Sequence, residues 1–281
     1  MTPTAICTGR YPSVPPDETT SGGARAERLA ALRRAVARLE SGSPDAAPAH
    51  LSLGLPEIHR HLPGPGLSLG ALHEVLAASH GDRPAAFGFV AALAARTLGA
   101  RRGAAVLVAT RRSLADFGQV HGAGLRALGV DPGRLLLVET RNDTDALWAM
   151  EEALKPDAAP AVVAGAIEGR LDLTMSRRLN LAAATSGTPL LLLRSPAAAG
   201  TSAAATRWRV AAAPAGRDRF GAFAGACWSV ALERCRNGRG GQWLIGWDHV
   251  ADRFHLAEVV ADRAPAEGAS SKGAGRLQLA S

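Results

Sequence analysis

Residues 72–89 read LHEVLAASHGDRPAAFGF. An apolar run, a loop holding Gly81 and a helix opening at Pro84 are the parts of a phosphate-binding junction, where backbone N–H groups at a helix N-terminus face an anion. Hydrolysis of a nucleoside triphosphate at such a junction takes the pattern G-x-x-x-x-G-K-[ST]. Its glycines let the loop wrap the phosphates, its lysine reaches the terminal phosphates and its hydroxyl holds magnesium. With Arg83 at the lysine position, Ala77 and Asp82 stand at the glycines and Pro84 at the hydroxyl. Asp82 sets a negative charge against phosphate, and Pro84 removes both the metal hydroxyl and one N–H donor. No other lysine can serve, since Lys155 precedes Pro156 and Lys272 lies near the C-terminus. The second acid is displaced too. Nucleotide hydrolases of this layout carry an Asp at the end of a later apolar strand, whereas in AVVAGAIEG (161–169) the acid, Glu168, follows the run. Gly81, Asp82, Arg83 and Pro84 thus form a degenerate phosphate loop. No hydrolysis is expected from it, and Arg83 is the one cation left to meet an anion at the helix start.

Other chemistry is thinner. His59 and His61 stand two apart, and His249 and His255 lack a third ligand at a useful spacing, so no metal is expected. No G-x-S-x-G elbow is present, and neither catalysis nor a cofactor has positive support. The arginines of the late strands are more suggestive. Arg207 and Arg209 alternate in TRWRV, Arg234 and Arg236 do the same, and Arg239 sits in the turn after them. Alternation places each pair on one face of a strand. With Trp208, Trp228, Trp243 and Trp247 nearby in sequence, the five arginines are candidates for a single-stranded DNA or partner contact. An ordinary exposed sheet face with tryptophans in the core beneath explains the same pattern.

The elements that must position these residues follow from periodicity. Residues 1–24, rich in Pro, Gly, Ser and Thr, read as disordered. Residues 25–40, RAERLAALRRAVARLE, read as a helix with the stripe Leu29, Leu32, Val36 and Leu39, followed by a linker to residue 50. That stripe must bury itself on its own domain or on another chain. Apolar runs at 72–76, 104–109, 134–140, 161–167 and 189–194 alternate with helical patterns. The helices are expected at 84–98, at 113–128 on a stripe of Leu114, Phe117, His121, Leu125 and Leu128, at 143–155, and at 174–186 with Thr174 as its cap. Continuous apolar strands alternating with helices mean a parallel sheet covered on both faces. After Arg194 the helices stop, and TRWRVAAA, WSVALERCR, QWLIGW and RFHLAE follow as strands, with NGRGG (237–241) a hairpin turn. Residues 259–281 read as a disordered tail. The expected class is α/β, a mostly parallel sheet between helices with a C-terminal antiparallel extension and a separate N-terminal helix.

Composition agrees. The chain of 281 residues is 47% hydrophobic but only 4% aromatic, which suits helices on a sheet better than an aromatic-rich sandwich. A net charge of +7, almost all from arginine, fits an anionic partner or a genome of biased base composition. Three cysteines, Cys7, Cys227 and Cys235, have no metal spacing and suit a reducing cytosol. The N-terminus lacks a secretory pattern, and the longest uncharged helical stretch, Pro84–Ala95, is too short to cross a bilayer. A cytoplasmic protein off the membrane is expected.

The order of elements resembles the ATPase core of the RecA recombinases. Longer runs resemble something narrower: LHEV (72–75), residues 115–154 from ADFGQVHGAG to AMEEAL, SRRLNLAAATSGTPLLLLR (176–194), SAAATRWRV (202–210) and WDH (247–249). Over about residues 50–258 the chain resembles the ImuA family of damage-inducible mutagenesis proteins. The resemblance implies a RecA-like domain at 51–258 and an accessory, non-catalytic role in translesion DNA synthesis. It implies as partners a Y-family polymerase-like protein, an alternative replicative polymerase subunit and, as further candidates, the RecA recombinase and single-stranded DNA. It supplies no catalytic residues. A weak DNA-dependent ATPase and a cell-division inhibitor of the same superfamily are the alternatives.

Overall fold

Apolar runs too short for helices and too continuous for surface strands become the interior of one sheet. The computed structural model describes residues 50–257 apart from 116–117, 159, 198–199 and 216–224. All of these belong to one compact unit, Pro48–Ser281. The expected N-terminal helix with Leu29, Leu32, Val36 and Leu39, the linker before His50 and the tail at 259–281 lie outside the described residues.

A two-residue ladder comes first: β1 (His50–Leu51) pairs antiparallel with β2 (Leu67–Ser68), with the short helix α1 (Pro56–His59) between them. The main sheet is built from β3 (Leu72–Ala77), β4 (Ala105–Thr110), β5 (Leu135–Thr140), β6 (Val162–Ile167), β7 (Leu190–Arg194), β8 (Thr206–Ala212), β9 (Cys227–Cys235), β10 (Gly241–Asp248) and β11 (Arg253–Leu256). Its order is β11-β10-β9-β8-β3-β7-β6-β4-β5. Strands β3 to β8 run parallel, and β9, β10 and β11 add on antiparallel beyond β8. This is the expected α/β architecture, a RecA-like core with an antiparallel extension.

Helices α2 (Arg83–Ala100), α3 (Arg111–Ala115), α4 (Gly122–Ala127), α5 (Asp143–Ala153) and α6 (Leu173–Ser186) fill the crossovers. Helix α2 is apolar around most of its circumference, with Phe89, Val90, Ala92 and Leu93 buried, because it lies at the centre of one face of the sheet. The opposite face packs on α5 and α6 through Ala146, Met150, Leu154, Leu179 and Ala183.

Two local expectations change. The single helix at 113–128 is two short ones. Gly118 takes φ of +83°, a left-handed conformation open to glycine, and His121 is extended just before α4. Ser113, at the expected start of that helix, lies inside α3, where its N–H donates to the hydroxyl of Thr110. The cap of α6 is Asp172, whose carboxylate accepts from Met175 N–H at 2.6 Å, while Thr174 is already helical.

The topology decides where a ligand would sit. Strand β3 lies between β7 and β8, with later strands on both sides of it. In an open α/β sheet the crevice at the C-terminal end of such a strand is the natural binding position. The loop after β3 occupies that position.

Candidate functional site at the end of the central strand

After β3 the chain makes one tight turn, His80–Asp82, and enters α2 with Pro84 in its first turn. The Asp82 carboxylate accepts from the Ser79 hydroxyl at 2.6 Å and from Ala212 N–H at 2.9 Å. The first bond closes the turn and the second ties it to the end of β8. Both hold the Asp82 carboxyl below its ordinary range, so the mouth of the loop carries a fixed negative charge. His80 and Gly81 are exposed and Asp82 is half-buried.

Arg83 points the other way. It is only 3% exposed and forms a two-pronged ion pair with Glu168, one arm measuring 2.9 Å. Glu168 follows β6 directly, and the backbone N–H groups of Glu168 and Gly169 donate to the Asp143 carboxylate at 3.3 and 2.6 Å. Asp143 opens α5 after β5. A chain of bonds therefore crosses the strand ends from α2 to the loop after β6 to α5. In a nucleotide hydrolase the cation after the central strand and the acid after a later strand face phosphate and magnesium across a gap. Here the corresponding pair satisfies itself.

A second charged cluster was not anticipated. Glu74, in the middle of β3, is fully buried and bonds Arg194 of β7 at 3.1 Å and Arg207 of β8 at 2.8 Å. Burial lowers the Arg194 pKa and the Glu74 charge opposes that shift. The signal was present, since Glu74 stands within LHEVLA, where only His73 is also polar, and Arg194 ends the otherwise apolar LLLLR. Charges at such positions are almost never buried unless paired.

No family model matches the chain. Protein ImuA of Caulobacter vibrioides, in each of two strains, is 36% identical over 243 residues, covering 80% of this chain and 95% of that protein. The chain belongs to the ImuA family. In this ImuA family member the five arginines take distinct places. Arg207 completes the buried cluster and also donates to Gly200 O at 2.6 Å. Arg209 pairs with Glu233. Arg234 donates to Ser202 O at 2.6 Å and Arg236 to Ala203 O at 2.8 Å. Three of the five thus also fasten the segment before β8 to the sheet. Arg234 and Arg239 are exposed, and a bulge at Arg207/Trp208 sets Glu233 and Arg234 side by side.

The tryptophans lie beneath. Trp208, Trp228 and Trp247 are at most 2% exposed and cluster with Phe89 and Phe254 on the α2 side of the sheet. Trp243 is half-buried, edge-on to His61 at 4.9 Å. Those buried rings hold core positions and offer no stacking platform. His59 accepts from Leu53 N–H and His61 donates to Gly240 O, so each has an internal partner.

Proposed function

We propose that this protein is a non-catalytic, RecA-like accessory factor in damage-inducible mutagenic translesion synthesis, working by binding other proteins of that machinery. Membership of the ImuA family supports the setting. The observation that carries the non-catalytic reading is the Arg83–Glu168 pair, in which the cation and acid of a nucleotide site neutralise each other beneath a loop lined by Asp82 and lacking the Pro84 N–H. The partners in this reading are a Y-family polymerase-like protein and an alternative replicative polymerase subunit, with the RecA recombinase a further candidate. The fold serves as a rigid scaffold on which the exposed arginines Arg234 and Arg239 and their neighbours Arg209 and Arg236 present a basic face.

The test is direct. The full chain is expected to release no phosphate from ATP above background, with or without single-stranded DNA, and Glu168→Gln is expected to leave that unchanged. Turnover that scales with protein through fresh purification, and is lost in Arg83→Ala, overturns the reading. Affinity purification from DNA-damaged cells is expected to recover polymerase subunits, and their absence removes the proposed partners. Salt dependence sorts the basic face. Replacing Arg234, Arg236 and Arg239 together by Ala flattens the log–log slope of single-stranded DNA binding by about two if the three touch phosphate, at roughly 0.7 per contact. An unchanged slope assigns the face to a protein.

A further inference from the structure

The main sheet has two edges, and they differ. Strand β11 is four residues long and begins with Arg253, the short and charged form in which natural edges are protected. Strand β5 is six residues long, reads Leu135-Leu136-Leu137-Val138-Glu139-Thr140, and contains no Lys, Pro or bulge. It pairs with β4 on one side only, and among the described residues no strand pairs with its outer side. Leu135 and Leu137 pack toward one core and Val138 toward the other, but Leu136 is 57% exposed. Such an edge is a template for another strand.

Charge selects the occupant. At the C-terminal end of this edge, Arg111 and Arg112 leave β4 and Arg141 leaves β5, all three exposed. Against them stands Glu139, itself 4.0 Å from Arg111. Nearby Asp145 is held by Asn142. We infer that the β5 edge is a docking site for an extended segment of a partner protein that alternates apolar and acidic residues, adding to the sheet as a tenth strand. The backbone would supply the ladder, Leu136 the apolar contact and the three arginines the preference for acid, in the manner of strand addition. This inference is independent of the function proposed above.

Two synthetic eight-residue peptides, SVSVEVEE and SVSVKVKK, blocked at both ends, serve as probes on the full chain. The acidic peptide is expected to bind and to slow amide hydrogen exchange across Leu135–Thr140, with the basic peptide at least tenfold weaker. Leu136→Ser, at an exposed position that leaves the core intact, is expected to weaken the acidic peptide about tenfold. Arg111→Glu with Arg141→Glu is expected to reverse the preference. Equal binding of both peptides, no slowing across that strand, or a preference that survives the charge reversal overturns the inference. Slow exchange there without peptide also overturns it. If that exchange quickens on dilution a second copy holds the edge, and if it does not the chain's own residues do.

Discussion

His73 sits in β3 with its ring closed off from water, Nε2–H donating to Ser68 O at 2.8 Å and Nδ1 accepting from the Thr206 hydroxyl at 2.7 Å. Trp208 Nε1–H donates to the same Thr206 oxygen at 2.8 Å, which leaves that hydroxyl hydrogen for His73. The network accommodates a neutral ring in one tautomer, and burial lowers its pKa from 6.5 to about 4. The sign follows from linkage. Between about pH 4 and 6.5 the unfolded chain binds a proton that the folded chain excludes, so stability is complete above 6.5 and declines as pH falls through that window. At about 1.4 kcal/mol per pKa unit, the loss from pH 7 to pH 5 is about 2 kcal/mol. Urea titrations at the two pH values should show it for the native chain. His73→Gln, which keeps a donor and an acceptor, should lose most of the difference. An equal decline in both would place the sensitivity in other groups. The sequence marks His73 only as a histidine within an apolar run, because its partners stand 5 and 133 residues away.

At the scale of elements, helix starts measure how far local chemistry reaches. Asn142 caps α5 by accepting from Asp145 N–H at 2.9 Å, and Asp172 caps α6. The pattern around α6, DLTMSRR, places Asp172 and Thr174 two positions apart, and either can begin a helix. The tight connection from β6 into α6 leaves Asp172 extended and takes Thr174 into the helix. Asp172→Ala is expected to cost about 1 kcal/mol and Thr174→Ala well under half of that. Thermal unfolding of the two variants checks the assignment, and the reverse order would restore Thr174 as the cap. The split of the expected helix at 113–128 has the same origin. A stripe of apolar residues permits one long helix, but the space between β4 and β5 and the left-handed Gly118 produce two short ones.

At the scale of the whole molecule, the Glu74 cluster ties together the three central parallel strands. Arg194 belongs to β7 and Arg207 to β8, the parallel strand on which the antiparallel extension is built, and Glu74 of β3 bonds both from between them. Removing one member of a buried ionic cluster leaves uncompensated charge and costs about 3–5 kcal/mol, whereas replacing the whole cluster with apolar groups is often neutral or better. Glu74→Ala is therefore expected to lower the urea midpoint sharply. The triple change Glu74→Leu, Arg194→Met and Arg207→Met is expected to recover most of the loss. Failure of the triple variant to recover while remaining folded would show that the carboxylate does more than neutralise its neighbours.

Residues close in sequence decided much by themselves. The alternation of apolar runs with helical patterns set the α/β class, because strand and helix periods are local properties of the chain. The hairpin at 237–241 was equally legible, since Asn237 takes a left-handed φ of 59° between β9 and β10. The absence of phosphate-loop residues was also a fact of sequence, as no fold can turn Arg83 and Pro84 into the lysine and hydroxyl that those positions require. Tertiary structure decided the rest. It joined Arg83 to Glu168 across 85 residues, gathered Glu74, Arg194 and Arg207 from three strands, and turned Trp208, Trp228 and Trp247 inward beneath the arginines. Those outcomes depend on strand order and on which face each element presents. Both are set by packing among distant segments, where a charge is stabilised by whichever partner the fold brings within reach.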